Sequence, residues 1–489
     1  MALTLNELAE VLDLQAPAIE ITNIQLDTRL ITPGSLFLAL KGHQTDGRRF
    51  ISKAIELGAA AVFFEDDGEF NLDHSSTAVP CIPVVNLSER VSFLSGVFYE
   101  NPSHEMKLIG VTGTNGKSTV SHLIANWAHL LGDKTGVMGT LGNGLFGHLS
   151  ATENTTGSAV SIQQQLHYFI QNDVTLTAME VSSHGLVQHR VEALRFAVSV
   201  FTNLSRDHLD YHKTMDAYAA AKYQIFSHSK PENCIINIDD ETGANWASKM
   251  SDCVVFGIDN RLDTHSGRFV YASDVKYHSH GITISIHSSW GDGVISAPLL
   301  GKFNASNLLA ALASLLVLQY DLKMLCQTAP RLQSVTGRME CFGLSTQPLV
   351  VVDYAHTPDG LEKALEAARQ HCHGRLTCIC GCGGDRDKGK RPLMAAIAEK
   401  MADRVILTDD NPRTEDPVGI MNDMVAGLSY PENVMIEHHR EQAIELALQA
   451  SLPGDIVVVA GKGHEDYQII GTEKRHYSDR ETVMQKLGV

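Results

Sequence analysis

Basic residues are scarce in this chain. Its 489 residues hold 39 lysines and arginines against 57 aspartates and glutamates, a formal charge of -18. That balance excludes a general nucleic-acid or membrane surface and leaves anionic ligands to local basic pockets. Long apolar runs are missing too: nothing approaches the ~20 residues of a membrane span, and the opening Met1 to Glu10 lacks a basic segment followed by an apolar core. No membrane insertion and a cytoplasmic location are the expectations. No internal repeat, low-complexity tract, coiled-coil heptad or exposed apolar stripe is visible, so a monomer is expected. Cysteines number nine, and Cys378, Cys380 and Cys382 alternate within one apolar stretch just after His371 and His373. Alternate positions share one face of a strand and cannot all converge on a tetrahedral ion, so reduced buried thiols are expected there rather than zinc.

What is present is an alternation of apolar stretches and helical runs. Length suggests about three domains. Residues 1–104 read as a small α/β domain with a Pro33-Gly34 turn and an Ala-rich run near Ala54–Ala60, closed by the breaker Asn101-Pro102-Ser103-His104. Residues 105–333 read as a central doubly wound domain with strands at Leu176–Val181 and Ala197–Thr202. Residues 334–489 hold four further apolar stretches, Leu349–Asp353, Leu376–Cys382, Arg404–Thr408 and Ile456–Ala460, separated by helical runs as in a Rossmann-like α/β domain. The histidines around Tyr277–Gly281 read as a solvated hairpin.

Gly113-Thr114-Asn115-Gly116-Lys117-Ser118-Thr119 follows an apolar stretch and opens an amphipathic one. Glycines let backbone amides approach phosphates, the helix that follows offers its positive end, Lys117 can reach terminal phosphates, and Ser118 or Thr119 can hold magnesium. The chain is therefore expected to bind ATP, although Val111 stands where the strict pattern has glycine. A plain glycine turn is the competing reading. Glu180 and His208 each end or follow a strand downstream, where a magnesium ligand would sit in an open α/β sheet, although such residues are commonly ordinary hydrogen-bonded groups.

Taken together, six ordered motifs resemble the Mur ligase family of ATP-dependent peptide-forming enzymes. They are the Thr112 to Thr119 loop, Glu180 with Ser182-Ser183-His184, Asn203 with His208, Asn304 after Gly301-Lys302-Phe303, Gly337-Arg338, and Asp353-Tyr354-Ala355-His356-Thr357-Pro358. The resemblance spans essentially the whole chain. It implies ATP contacts at Asn304, Arg338 and Asp353 besides the loop. It implies a first domain that holds a UDP-N-acetylmuramoyl dipeptide through Leu26, Thr28, His43, Gln44 and Thr45, with Asn154, Thr155, Thr156, Ser182, Gln188 and Arg190 completing that site. Thr28 stands where serine is usual, and Gly157 follows Thr155-Thr156 where proline is common.

Within the family, Asp410-Asn411-Pro412-Arg413 is similar to the signature of members that add meso-diaminopimelate. An arginine fork suits that amino acid's distal carboxylate, where lysine offers only an ammonium. The resemblance extends this pocket to Arg386, Gly461 and Glu465. It also implies that Lys222 becomes carbamylated by carbon dioxide and, with Ser118, Glu180 and His208, holds magnesium. The expected reaction joins meso-diaminopimelate to UDP-N-acetylmuramoyl-L-alanyl-D-glutamate through an acyl phosphate, with Lys117, Lys222, Glu180 and His208 as the catalytic set. An L-lysine-adding ligase, a folylpolyglutamate synthase and a nucleotide-controlled switch are the alternatives.

Overall fold

The computed structural model describes residues 3–42, 45–72, 77–152, 154–258, 267–278, 281–344 and 346–488. His43 and Gln44, both expected sugar-nucleotide contacts, lie outside the described residues. The chain divides into two compact units, Met1–Val255 and Phe256–Val489.

The first unit opens with a four-stranded parallel sheet, Asn23–Gln25, Ser35–Ala39, Ala59–Asp66 and Cys81–Val85, paired in chain order. Its strands are apolar on both faces. Leu36, Leu38, Ala61 and Phe63 join one core, while Phe37, Ala39, Val62 and Phe64 join another, the two-residue period of a sheet covered on both sides.

A second sheet carries the phosphate loop. Strand Lys107–Thr112 lies between Leu176–Glu180 and Val198–Phe201, all parallel, with Thr135–Gly139 and Cys234–Asn237 beyond them on either side. Register sets Glu180 opposite Val111 and Phe201 opposite Thr112. Three carboxyl ends therefore adjoin, which is where open α/β sheets hold ligands.

In the second unit, Phe269–His278, Gly281–Ser288 and Gly291–Ala297 form antiparallel pairs that precede the long helix Lys302–Val317. A six-stranded sheet follows in the order Glu340–Phe342, Leu349–Asp353, Ile456–Ala460, Leu376–Cys380, Arg404–Leu407, Met435–Ile436, parallel except at its first edge. All four strands expected from sequence form. Cys378, Cys380 and Cys382 lie in the core on one face, and burial pushes the Cys382 thiol up to about 12, as inert reduced thiols require. His371 is buried: its Nε2 accepts from the Gly301 amide at 2.9 Å, and its Nδ1 donates to the His278 carbonyl. That pairing uses both ring nitrogens and leaves none for a metal. Among the described residues no helix is long and apolar enough to cross a membrane.

Candidate active site

Two glycines shape the phosphate loop. Gly113 has φ +144° and Gly116 φ +87°, and a Cβ at Gly113 would meet Thr202 Oγ1 at 2.0 Å. Gly116 caps the helix Lys117–Leu130 without a side-chain hydrogen bond, so no capping side chain covers the first-turn amides. The next strand end braces the loop: Asn203 Oδ1 accepts from the Asn115 amide at 3.0 Å, its Nδ2 donates to the Asn115 carbonyl at 3.1 Å, and Thr202 Oγ1 donates to the same carbonyl at 2.6 Å. Asn203 acts on the loop rather than as a free ligand.

Two lysines converge on this turn. Lys117 Nζ donates to the Gly113 and Thr114 carbonyls at 3.0 and 2.8 Å, and Lys222 Nζ donates to the Gly113 carbonyl at 2.7 Å. Lys222 lies on the helix Met215–Ser227 and is 1% exposed, so it is no solvated helix lysine. Burial, reinforced by the nearby Lys117 charge, holds its amine well below the ordinary lysine range. The face of Tyr218 lies 4.6 Å from its Nζ, and the Tyr218 hydroxyl meets Thr114 Oγ1 at 3.3 Å. Tyr218 gave no signal in the sequence, because one apolar-looking position on a helix is indistinguishable from core.

Glu180 ends its strand buried, with its carboxylate accepting from the Thr140 amide at 2.8 Å and the Thr140 hydroxyl at 3.2 Å. A Cβ at Gly139 would lie 2.2 Å from Glu180 Oε1, so glycine there makes room for the carboxylate. His208 is half exposed in a left-handed turn, φ +52°, 3.5 Å from Asp207 and with its ring edge on His184. Among the described residues no three histidine, cysteine or acidic side chains gather as a metal-holding group.

Part of the expected dipeptide site is knitted together. Thr156 Oγ1 donates to the Glu180 carbonyl and accepts from the Ser182 amide, both at 2.9 Å. Arg190 Nη1 donates to the Thr156 carbonyl at 2.7 Å, and Gln188 Oε1 accepts from the same guanidinium. Thr155 bonds Thr140, the residue that holds Glu180. Asn154 and Thr45 are exposed, Leu26 packs against the first core, and Thr28 opens a 3-10 turn.

The second unit holds the remaining expected residues. Asn304 is buried near the start of its helix, donating to the Leu300 carbonyl and accepting from Asn307. Arg338 stacks on Tyr354, 4.6 Å from the ring, and Asp353 accepts from the Met339 and Ala355 amides at 2.7 and 2.8 Å. Burial raises the Asp353 carboxyl against the opposing pull of Arg338. His464 faces Tyr354, and burial, with Arg338 beside it, takes its imidazole down to about 4.

Asp410-Asn411-Pro412-Arg413 leaves the strand Arg404–Leu407 at its carboxyl end, and Arg413 adopts a left-handed φ of +54°. The hairpin Tyr467–Ile470/Glu473–His476 holds it there: the Arg413 amide donates to the Ile469 carbonyl at 3.0 Å and the Gly471 amide donates to the Arg413 carbonyl at 2.7 Å. Lys462, fully buried, donates to Asn411 Oδ1 at 3.1 Å, and Asn411 Nδ2 donates to Glu465 at 3.1 Å. Gly461 has φ +120°, and a Cβ there would lie 2.6 Å from Asp410 Oδ2. At Gly383 a Cβ would lie 2.7 Å from Arg413 Nη1 and 3.7 Å from Arg386 Cγ, so the two expected carboxylate-binding arginines border one glycine. The hairpin and Lys462 were invisible in sequence, since their roles exist only as tertiary contacts.

Three Mur ligase models match the chain: the Mur ligase family catalytic domain over residues 20–99, the middle domain over 111–315, and the glutamate ligase domain over 337–463. A solved UDP-N-acetylmuramoyl-L-alanyl-D-glutamate--2,6-diaminopimelate ligase is 34% identical, with 100% of this chain and 99% of that chain covered at a TM-score of 0.73. MurF from Acinetobacter baumannii, at 17% identity, covers 100% of this chain and 99% of its own with a TM-score of 0.68. A Mycobacterium tuberculosis folylpolyglutamate synthase complexed with ADP, at 18% identity, covers 77% of this chain and 92% of its own with a TM-score of 0.59. The last two share the fold. The three successive matches bear out the α/β, three-domain class read from the motifs, and the chain belongs to the Mur ligase family.

Proposed function

We propose that this ligase joins meso-diaminopimelate to the D-glutamate of UDP-N-acetylmuramoyl-L-alanyl-D-glutamate, with ATP becoming ADP and phosphate, in cytoplasmic cell-wall precursor synthesis. The observation that carries the reading is the convergence of Arg386 and Arg413 on Gly383, in a chain 34% identical from end to end to a 2,6-diaminopimelate ligase. An arginine pair suits a carboxylate that lysine lacks. Folylpolyglutamate synthase is the weaker rival, since its likeness extends over 77% of this chain rather than all of it.

In this reading residues 1–104 and the Thr156, Ser182, Gln188 and Arg190 cluster bind the UDP-linked dipeptide, 105–333 carry ATP, and 334–489 carry the amino acid. The acceptor carboxylate attacks the γ-phosphorus, ADP departs and an acyl phosphate forms. Lys117 and the first-turn amides meet the charge that develops on the transferring group. The diaminopimelate amine then attacks the acyl carbon and phosphate departs, while Glu465 pairs with an ammonium of that amino acid.

By their chemistry the expected donors suit a hard divalent cation: the Ser118 hydroxyl and the buried Glu180 carboxylate would supply oxygen ligands and His208 an imidazole nitrogen. Magnesium bound there supplies charge neutralisation for phosphoryl transfer. As an ammonium, Lys222 would repel that cation. Its depressed pKa supports the neutral form that reacts with carbon dioxide, forming an N–C bond, releasing a proton and leaving an anionic carbamate. The chain is proposed to act as a monomer without nucleic-acid partners.

Phosphate release from ATP with the UDP-linked dipeptide, comparing meso-diaminopimelate with L-lysine at matched concentration, tests the reading. Release driven by meso-diaminopimelate is expected. Preference for lysine would overturn the pocket assignment, and release indifferent to both would overturn the ligase reading.

A further inference from the structure

The arginine pair has to be held at one spacing, and the residues that bear those arginines are on two different loops. Arg386 follows the strand Leu376–Cys380, and Arg413 follows Arg404–Leu407. Both loops are glycine-rich or polar, and neither sets the distance between them.

Between them sits Arg391, 0% exposed at the start of the helix Lys390–Met401. Its Nη1 and Nη2 donate to Glu415 Oε2 and Oε1, each at 3.0 Å, a two-pronged pair, and Nη2 also donates to the Gly383 carbonyl at 3.2 Å. Nη1 reaches Asp423 as well, at 2.8 Å. Glu415 in turn accepts from the Asp385 amide at 2.6 Å, next to Arg386. Asp385 closes the circuit by accepting from the Thr414 amide at 3.1 Å and its hydroxyl at 2.9 Å, next to Arg413. The Gly384 carbonyl accepts from Arg413 Nη1 at 2.9 Å. Each loop is thus tied to the other on both sides of its arginine. The Arg391 hydrogen bonds and the Asp385 amide hold the Glu415 carboxyl down at about 2, which favours the charged pair.

We propose that the Arg391–Glu415 pair is a positioning element that sets the separation of Arg386 and Arg413, and thereby selects an amino acid with a distal carboxylate over one without it. The inference rests on the diaminopimelate reading. Neither residue touches the substrate. The pair acts by fixing two loops whose arginines must meet one planar anion together, where small displacements weaken both contacts.

Glu415→Gln removes the charge and keeps the shape, and Thr414→Val removes the hydroxyl part of the exposed second tie, leaving its backbone amide bond, without touching Arg391. KM for meso-diaminopimelate, ATP and the UDP-linked dipeptide would be measured for each, with hydroxylamine trapping of the acyl phosphate in the absence of amino acid and a thermal melt. A charge-assisted hydrogen bond lost through an intermediary corresponds to about a tenfold rise in KM for meso-diaminopimelate. ATP and dipeptide KM and acyl phosphate trapping stay within about twofold, and the preference for meso-diaminopimelate over L-lysine falls by about the same tenfold. Thr414→Val produces a smaller rise in the same direction and decides the matter if Glu415→Gln does not fold. An unchanged KM for meso-diaminopimelate, or equal losses for all three substrates, overturns the inference. Failure of wild-type enzyme to use meso-diaminopimelate at all overturns the underlying reading instead.

Discussion

Replacing Arg413 by lysine keeps the positive charge and removes the planar fork. In the structure Nη1 of Arg413 already donates to the Gly384 carbonyl at 2.9 Å, while among the described residues Nε and Nη2 donate to nothing, leaving that edge to meet a carboxylate. The left-handed φ of +54° burdens arginine and lysine alike, so backbone strain cancels in the comparison. What changes is one of two charge-assisted hydrogen bonds, each worth about 1.5–3 kcal/mol. A net loss of about 2 kcal/mol corresponds to roughly a thirtyfold rise in KM for meso-diaminopimelate. Steady-state phosphate release at saturating ATP and dipeptide measures it, with acyl phosphate trapping as the control for the earlier step. A comparable loss in ATP use, or a KM for meso-diaminopimelate that does not move, would refute the assignment of Arg413 as the carboxylate fork.

Other outcomes follow from the same geometry. Lys222→Ala should abolish turnover and regain part of it on addition of short carboxylic acids; a turnover rate close to wild type without any acid would remove Lys222 from the chemistry. Lys117→Ala should lose acyl phosphate formation by at least about a hundredfold, the scale of removing one preorganised charge partner, and normal trapping would contradict the phosphate-loop assignment. His464 is neutral in the fold with its pKa lowered to about 4, whereas in the unfolded chain it titrates near the usual histidine value. The unfolded state therefore binds the proton first, and the contribution of His464 is complete above about pH 6.5 and lost as pH falls towards 4. His464→Gln should show a shallower fall in Tm than wild type between about pH 7 and 4.5, and parallel curves would refute the shift.

The phosphate loop, the strands beside it and the four core strands of the second unit were legible because each is a local pattern: glycines at fixed spacing, or a short, largely apolar run set between helical stretches. Strand ends shifted by a residue, as at Val181 and Thr202, whose amides still pair with the Val111 and Thr112 carbonyls while the next residues, Ser182 and Asn203, turn to Thr156 and Asn115. Arg391 was not legible. It closes the run Gly384 to Arg391, whose composition looks solvent-facing, and is nevertheless fully buried because Glu415 and Asp423 arrive from a distant stretch. Lys462 is the same case, its partner Asn411 lying 51 residues away. A charge's partner is a tertiary fact, and no spacing rule announces it.

Burial alone does not mark which of these cations does chemistry. Arg391 and Arg440 are both buried, but each lies against carboxylates, Glu415 with Asp423 and Asp479 respectively, and both guanidinium pKa values are raised rather than lowered. Their desolvation is offset by ion pairs, which is what a structural cation requires. Lys462 has Asn411 and Glu465 and shifts downward. Lys222 differs from all three: it is 1% exposed, bonds a backbone carbonyl and faces a tyrosine ring, and among the described residues no carboxylate lies within ion-pair distance. With burial and Lys117 both opposing its charge, nothing comparable restores it. An amine so placed beside the phosphate loop is pushed towards its neutral form by burial and by Lys117. In the proposed function that amine is the nucleophile towards carbon dioxide, and the resulting anion would suit a location beside Lys117.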